Sequence, residues 1–404
     1  MPKHLSLYTG AGGLDLGLEA AGFNVAVAVE SSRASCETLR ANRRFPLHER
    51  DIHEVSSDEL MEAANCDTGE IDLLVGGPPC QPFSKAAYWA KGDTKRLDDP
   101  RADTLTAYLR VLRDTQPKAF LLENVVGLAF KGKDEGLRLL TDTIAAINRQ
   151  VGTGYQISWK VLNAANYGVP QIRERVFLVG SRDGKQFVFP EETHARPESL
   201  AGKLFDDGRA EWCTAWDAIG DLEPPEEEDL AMGGRWANLL PSIPEGQNYL
   251  FHTDRGDGLP LFGWRRRYWS FLLKLSKRLP SWTIQAQPGS AVGPFHWKNR
   301  KLSTRELCRL QTFPDNYDVV GGRTDIQNQL GNAVPSLLGE ILGKAIRRQF
   351  FGTRVSKKLK LAVKKCAETP RAELVRKVPK EYRDLIGDHA AHPGTGKGHL
   401  VRGK

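Results

Sequence analysis

The chain has 404 residues, enough for two domains or for one large domain carrying an insertion. Its 40% hydrophobic and 26% charged residues are those of an ordinary globular protein, and no apolar run approaches the roughly 20 residues that a bilayer span requires. Net charge is +7, but the excess is local: residues 344–404 hold 17 Lys/Arg against 5 Asp/Glu, so the first 343 residues are net acidic.

The opening stretch "MPKHLSLYTGAGG" enters a strand-like run at once, with no signal-peptide core. It predicts a cytoplasmic protein whose thiols are reduced. Cys36, Cys66, Cys80, Cys213, Cys308 and Cys366 form no C-x-x-C pair, and His389, His392 and His399 have no Cys or acidic partners in the pattern, so no metal site is expected. In chain order, "LSLY" (5–8), "VAVAVE" (25–30), "IDLLVG" (71–76), "AFLLEN" (119–124) and "RVFLVG" (175–180) read as buried strands. Between them Leu14–Ala21, Ser35–Asn42, Thr104–Leu112 and Glu135–Ile147 have helical spacing. The alternation predicts an α/β fold with a doubly wound, mostly parallel, Rossmann-like sheet.

After Gly180 the rhythm stops. Residues 182–299, rich in Pro, Gly and Trp and holding the acidic run "EPPEEED" (223–229), read as a smaller, irregular inserted domain. Regularity returns at "LSTRELCRLQTF" (302–313), an amphipathic helix opened by Ser303 with Glu306 three residues later. A further helix, Ser336–Phe350, follows "GNAVP". The expected organisation is a catalytic and cofactor-binding domain over 1–181 completed by 300–350, the inserted domain at 182–299, and a mobile basic tail at 351–404.

In an open parallel sheet, ligands bind beyond the carboxyl ends of the strands. The first strand runs into the glycine-rich turn "TGAGGLDLG", and the second ends at Glu30, placed as a carboxylate for a ribose hydroxyl. Asp51, Pro79–Cys80 and Glu123–Asn124 follow the next three strand ends. In "GGPPCQPFS" (76–84) two prolines fix φ ahead of Cys80 and restrict the direction in which its thiol projects. A thiolate is a strong nucleophile, and a buried Glu123 with raised pKa is able to give a proton to a ring nitrogen. A packed core thiol and a salt-bridged glutamate explain either residue alone. Five polar features at successive strand ends argue for a site.

"GGPPCQPFS" resembles the catalytic motif of the cytosine-5 DNA methyltransferases, and "ENV" (123–125) resembles that family's acid motif. "LYTGAGGLDLGLEAAGF" (7–23), "VAVES" (27–31), "QIRERVFLVG" (171–180), "RKLSTRELCRLQTFPDNY" (300–317) and "GNAVP" stand in the family's order. The resemblance covers 4–180 and 300–350 and is to the bacterial, restriction–modification type. It implies the S-adenosylmethionine-dependent methyltransferase fold, S-adenosylmethionine as cofactor and double-stranded DNA as substrate. Cys80 would add to C6 of cytosine while Glu123 contacts N3, Arg175 supports the ring and Arg173 holds the polar network. Tyr8, Gly10, Gly12, Leu14, Glu30, Ser31, Asp51, Pro79 and Asn332 match positions lining the cofactor pocket, with Tyr8 where the family often has Phe.

The resemblance also makes 84–105 a loop closing over DNA, with Gln81, Ser84 and Arg101 as contacts, although "DPRADTL" lacks the usual glycine after arginine. The target base must be rotated out of the duplex to be reached. Sequence choice falls to 182–299, where Thr283–Ile284 resembles the Thr-aliphatic pair of target recognition domains. Arg265, Arg266, Arg267, Gln285 and Gln287 are the residue types that read G and A in the major groove. A monomer is expected, with a restriction endonuclease encoded nearby but not a stable subunit. A tRNA cytosine-5 methyltransferase and a catalytically inactive DNA-binding regulator are the alternatives. The Arg- and Trp-rich insertion favours DNA over the first, and the intact motifs argue against the second.

Overall fold

The computed structural model describes residues 1–79, 103–129, 135–200, 208–265 and 268–389. Cys80, Gln81, Ser84, Arg101, Arg266 and Arg267 therefore lie outside the described residues. The strands of the first half are β1 (Lys3–Leu7), β2 (Asn24–Val29), β3 (Leu47–His48), β4 (Leu73–Gly76), β5 (Ala119–Asn124), β6 (Gln156–Asn163) and β8 (Glu174–Ser181), with a short β7 (Gln171–Ile172) just before β8. Seven of them build one sheet in the order β3-β2-β1-β4-β5-β8-β6. The first five are mutually parallel, each reached through a helical crossover, whereas β8 runs antiparallel to both β5 and β6. The link from β6 to β8 holds no α-helix, so the two strands meet head to tail.

Alternation along each central strand divides the core in two. Leu74, Phe120, Leu122 and Leu178 face α3 (Ser57–Ala64), α4 (Asp103–Thr115) and α5 (Glu135–Val151). Leu73, Val75, Leu121 and Val179 face α1 (Gly13–Ala21) and a helix from the far end of the sequence. The second crossover is α2 (Arg33–Asn42). Strand β6 has no continuous apolar run, because as an edge strand it is only partly covered, with most of its residues half-buried or exposed, and the sequence pattern passes over it.

Beyond β8 come β9 (His194–Ala195), α6 (Pro197–Leu200), β10 (Ala210–Glu211), α7 (Ala215–Ile219) and β11 (Ser281–Trp282), then α8 (Thr304–Leu310), α9 (Arg323–Asn332) and α10 (Ser336–Phe350). The expected capping box opens α8: Ser303 Oγ accepts the Glu306 N–H at 3.2 Å, and Glu306 accepts the Ser303 N–H at 2.7 Å. Helix α10 packs backbone to backbone on α1, since a Cβ on Gly17 would stand 2.3 Å from the Ser336 carbonyl oxygen.

Two expectations about organisation change. The start of the insertion belongs to the main body: Phe187 packs against Phe350 at 5.7 Å, and Ala215, Ala218 and Ile219 share a core with Leu16 and Leu307. A separate core begins only near Met232 and contains Leu239, Leu240, Tyr249, Phe271 and Phe295. Residues 351–389 are not a free tail but a strap over both bodies. Glu340 accepts the N–H groups of Lys360 (2.8 Å) and Leu361 (2.9 Å), and Val378 and Tyr382 are buried inside the second core. Apolar residues spaced among the lysines carry this packing, a pattern that net charge conceals.

Candidate active site

The carboxyl ends of β1, β2, β4 and β5 converge on one edge of the sheet. Tyr8, straight after β1, has φ 55°, a left-handed conformation that costs a non-glycine residue of order 1–3 kcal/mol. Its hydroxyl donates to the Thr104 carbonyl at 2.6 Å, and Thr104 Oγ1 donates to the Pro79 carbonyl at 3.1 Å. The chain segment carrying the prolines is thereby tied to the β1 turn. Gly10 has φ 56°, and a Cβ there would meet nothing within 4 Å, so the turn presents an open backbone face.

Glu30, at the end of β2, reaches that turn. Its Oε2 accepts the Gly10 N–H and its Oε1 the Ser32 N–H, both at 2.7 Å. Burial raises the Glu30 carboxyl from its ordinary value, with the Ser32, Gly10 and Ser31 N–H groups acting in opposition. The other expected pocket residues divide. Ser31 is exposed beside Glu30, whereas Leu14 is buried in the α1–α10 core. Asp51 is exposed and caps its own turn, accepting the His53 N–H at 3.0 Å. Asn332 Nδ2 donates to Asn328 Oδ1 at 2.9 Å, and only its carbonyl faces the Arg173 side. Gly12 lies under Tyr317, whose hydroxyl oxygen is 3.0 Å from where a Cβ would be.

Glu123, 8% exposed at the end of β5, forms the second cluster. Arg175 Nε lies 2.9 Å from Glu123 Oε1. Burial raises the Glu123 carboxyl, and Arg175 and Arg173 oppose the rise without cancelling it. Arg173 is fully buried; its Nη2 donates to the carbonyls of Gly331 (3.0 Å) and Asn332 (3.2 Å). Burial, then the Arg175 charge, lower the Arg173 guanidinium from its ordinary value, yet a guanidinium keeps its proton throughout the working range. Asn124, not singled out by sequence beyond its place in "ENV", donates from Nδ2 to the Pro78 carbonyl at 3.2 Å. It joins the β5 end to the segment leading to Cys80.

The three buried thiols among the described residues are unlike a nucleophile. Burial pushes Cys36 and Cys308 up to about 12 and Cys213 up to about 11. Of the expected base readers, Arg265 is exposed, with its N–H donating to the Tyr249 hydroxyl at 3.0 Å. Gln285 is half-buried with its carbonyl held by Gln327 Nε2 at 2.6 Å, and Gln287 is exposed at the mouth of a cavity of about 580 Å³ between 284–295 and α9. Among the described residues no helix is long and apolar enough to cross a membrane.

The site thus sits on an open α/β sheet with one reversed strand near its edge and a carboxylate at each of two strand ends, and the chain's class follows from its relatives. Residues 3–348 match the family model for C-5 cytosine-specific DNA methylase, and the chain belongs to that family and is a DNA cytosine-5 methyltransferase. It is 40% identical over 371 residues to the type II methyltransferase M.SacI of Streptomyces achromogenes, covering 85% of this chain and 92% of that one. Identity to the type II methyltransferase M1.HphI of Haemophilus parahaemolyticus is 33% over 354 residues, covering 85% and 86% of the respective chains. The fold matches a putative DNA modification methyltransferase encoded within an E. coli prophage (TM-score 0.56, 22% identity, 87% of this chain and 100% of that one). It also matches Spodoptera frugiperda DNMT2 (TM-score 0.54, 15% identity, 86% and 100%).

Proposed function

We propose that the protein methylates C5 of a cytosine rotated out of a specific double-stranded DNA sequence, using S-adenosylmethionine and a transient covalent bond from Cys80 to C6. The observation that carries this reading is the buried Glu123–Arg175 pair at the strand end joined, through Asn124 and Pro78, to the segment that leads to Cys80. A carboxyl raised by burial is suited to give a proton to N3, and the guanidinium fixes its direction.

The Tyr8–Gly12 turn and Glu30 suit S-adenosylmethionine. The face at Gly10 is open, the glycines need cradle no phosphate, and the Glu30 carboxylate is an acceptor for ribose hydroxyls. Bound there, the cofactor supplies a sulfonium-activated methyl group. With the Cys80 thiolate bonded to C6 and N3 protonated by Glu123, C5 becomes an enamine carbon nucleophilic enough to be methylated. Loss of the C5 proton to a base then drives elimination: the double bond re-forms, the thiolate leaves, and Glu123 recovers the N3 proton. Arg175 supports the ring, Arg173 holds the surrounding polar groups, and Gln81, Ser84 and Arg101 contact the DNA. Arg265, Arg266, Arg267, Gln285 and Gln287 read base edges. On this reading the enzyme works as a cytoplasmic monomer beside a separately acting restriction endonuclease.

Sequencing methylated cytosines in a host expressing the protein identifies the site. A duplex carrying 5-fluorocytosine at that position has no C5 proton to lose, so it traps the wild-type enzyme as an adduct that survives denaturation. Cys80→Ser binds the duplex without forming the adduct, because a hydroxyl is far less ionised than a thiol. Active wild-type enzyme that forms no adduct overturns the C6-addition mechanism.

A further inference from the structure

Gln171 is completely buried, yet its side chain joins three separate pieces of the chain. Its Oε1 accepts the Ile284 N–H at 3.3 Å, in the recognition segment that follows β11. Its Nε2 donates to the Leu310 carbonyl at 3.2 Å and to Gln311 Oε1 at 3.1 Å, where α8 ends. Gln311, equally buried, donates onward to the carbonyls of Leu330 and, at 3.5 Å, Ala333, at the end of α9. Ile284 offers only a donor and Leu330 only an acceptor, so the two amides are forced to align head to tail.

The surroundings leave little slack. Ser281–Trp282 pairs in parallel with Gln171–Ile172, and Thr283 Oγ1 donates to the Ile172 carbonyl at 2.7 Å. Two residues along from Gln171, Arg173 holds the Gly331 and Asn332 carbonyls. Gly331 in turn lies so close to the recognition segment that a Cβ would stand 2.4 Å from the Ala286 backbone nitrogen. A displacement of residues 281–286 must therefore disturb Gln171 or Gly331, and through either one Arg173.

We infer that Gln171 is a positioning residue that transmits the seating of the recognition segment on DNA to Arg173 and Arg175, so that methyl transfer is fast only when the correct sequence is bound. The inference rests on the DNA methyltransferase reading above. An amide suits this role, because donor and acceptor sit on opposite sides of one rigid plane, and in a dry interior their bonds are strong and intolerant of displacement. The coupling is a link between two bound surfaces, with the arginine strand as the element both of them bias.

The test uses full-length wild type, Gln171→Leu and Gln171→Glu with labelled S-adenosylmethionine and unmethylated genomic DNA, reading total incorporation and, by sequencing, the position of each modified cytosine. Gln171→Leu should bind S-adenosylmethionine as the wild type does, by calorimetry, while its turnover falls about 10- to 100-fold from misplacement of the reacting groups. Its preference for wild-type sites over single-mismatch sites should shrink about 5- to 100-fold, the size of a typical coupling. In Gln171→Glu the introduced carboxyl donates to Gln311 only while protonated. Turnover and site preference should return toward wild type at low pH and fall as pH rises; the fall in site preference, unlike that in turnover, is a limb that a merely structural role does not create, and it carries the test if Gln171→Leu fails to fold. Unaltered site preference in Gln171→Leu, or a Gln171→Glu profile parallel to wild type, overturns the inference. A wild type that leaves DNA cytosines unmethylated defeats the proposed function instead.

Discussion

Arg175 Nε grips Glu123 Oε1 at 2.9 Å, while the carboxylate's other oxygen faces Gly77, where a Cβ would stand 2.9 Å away. One side of the acid is held by charge and the other by a bare backbone. The proton-bearing position is thus defined by a residue on β8 and by the absence of a side chain just past β4.

In the proposed mechanism Glu123 must carry its proton to act on N3, and burial raises its carboxyl. Turnover should therefore fall as pH climbs through that raised value, and Glu123→Gln, unable to give the proton, should lose about 10²- to 10⁴-fold in rate and lack this limb. Linkage has the sign of an acid raised in the fold: the stability contribution is present below the unfolded-state pKa and is lost as pH rises through the folded one. Single-turnover rates across a pH series check the first claim, and denaturant unfolding across the same series checks the second.

Gly77→Ala should leave DNA binding intact and slow methyl transfer. The new Cβ meets Glu123 Oε2 at 2.9 Å and turns the carboxyl away from its aim; misplacement of this kind costs up to about 10²-fold. Equal rates for wild type and variant would show that the acid tolerates rotation.

Glu30→Ala should weaken S-adenosylmethionine binding by about 1.5–3 kcal/mol, the worth of a charge-assisted hydrogen bond. Because Glu30 also holds the Gly10 and Ser32 N–H groups, the ligand-free variant should melt at a lower temperature than wild type. Calorimetric titration and thermal melts read the two effects separately.

The packed strap changes the expected outcome of truncation after Gly352. Removal of a free basic tail would only weaken DNA binding at low salt and flatten its salt dependence, by about 0.9 in slope for each phosphate no longer neutralised. Removing Val378 and Tyr382 also opens the second core and strips Lys277 of Glu373, its partner at 2.9 Å. Thermal melts should show the body around the second core destabilised even without DNA. Tyr382→Ala alone should cost about 3–5 kcal/mol, as large aromatic deletions in cores do. A melting curve that matches full-length protein would return the strap to a purely electrostatic part.

Much of the fold was legible because central strands buried on both faces are written as unbroken apolar runs, such as "IDLLVG" and "AFLLEN", and because helix ends carry local signals such as Ser303 and Glu306. The same local logic put Glu30 and Glu123 at strand ends, since a parallel sheet delivers the residues after each strand to one edge. It passed over β6, whose edge position needs no apolar run, and it took 351–404 for a tail, since Val378 and Tyr382 make a single apolar pair among charged residues, too little to show a period. The partnership of Arg175 with Glu123, the Asn124 clasp on Pro78 and the Gln171–Gln311 relay belong to tertiary structure alone. These contacts join residues up to 140 positions apart, and which buried polar groups must satisfy one another is decided only when packing brings their backbones together.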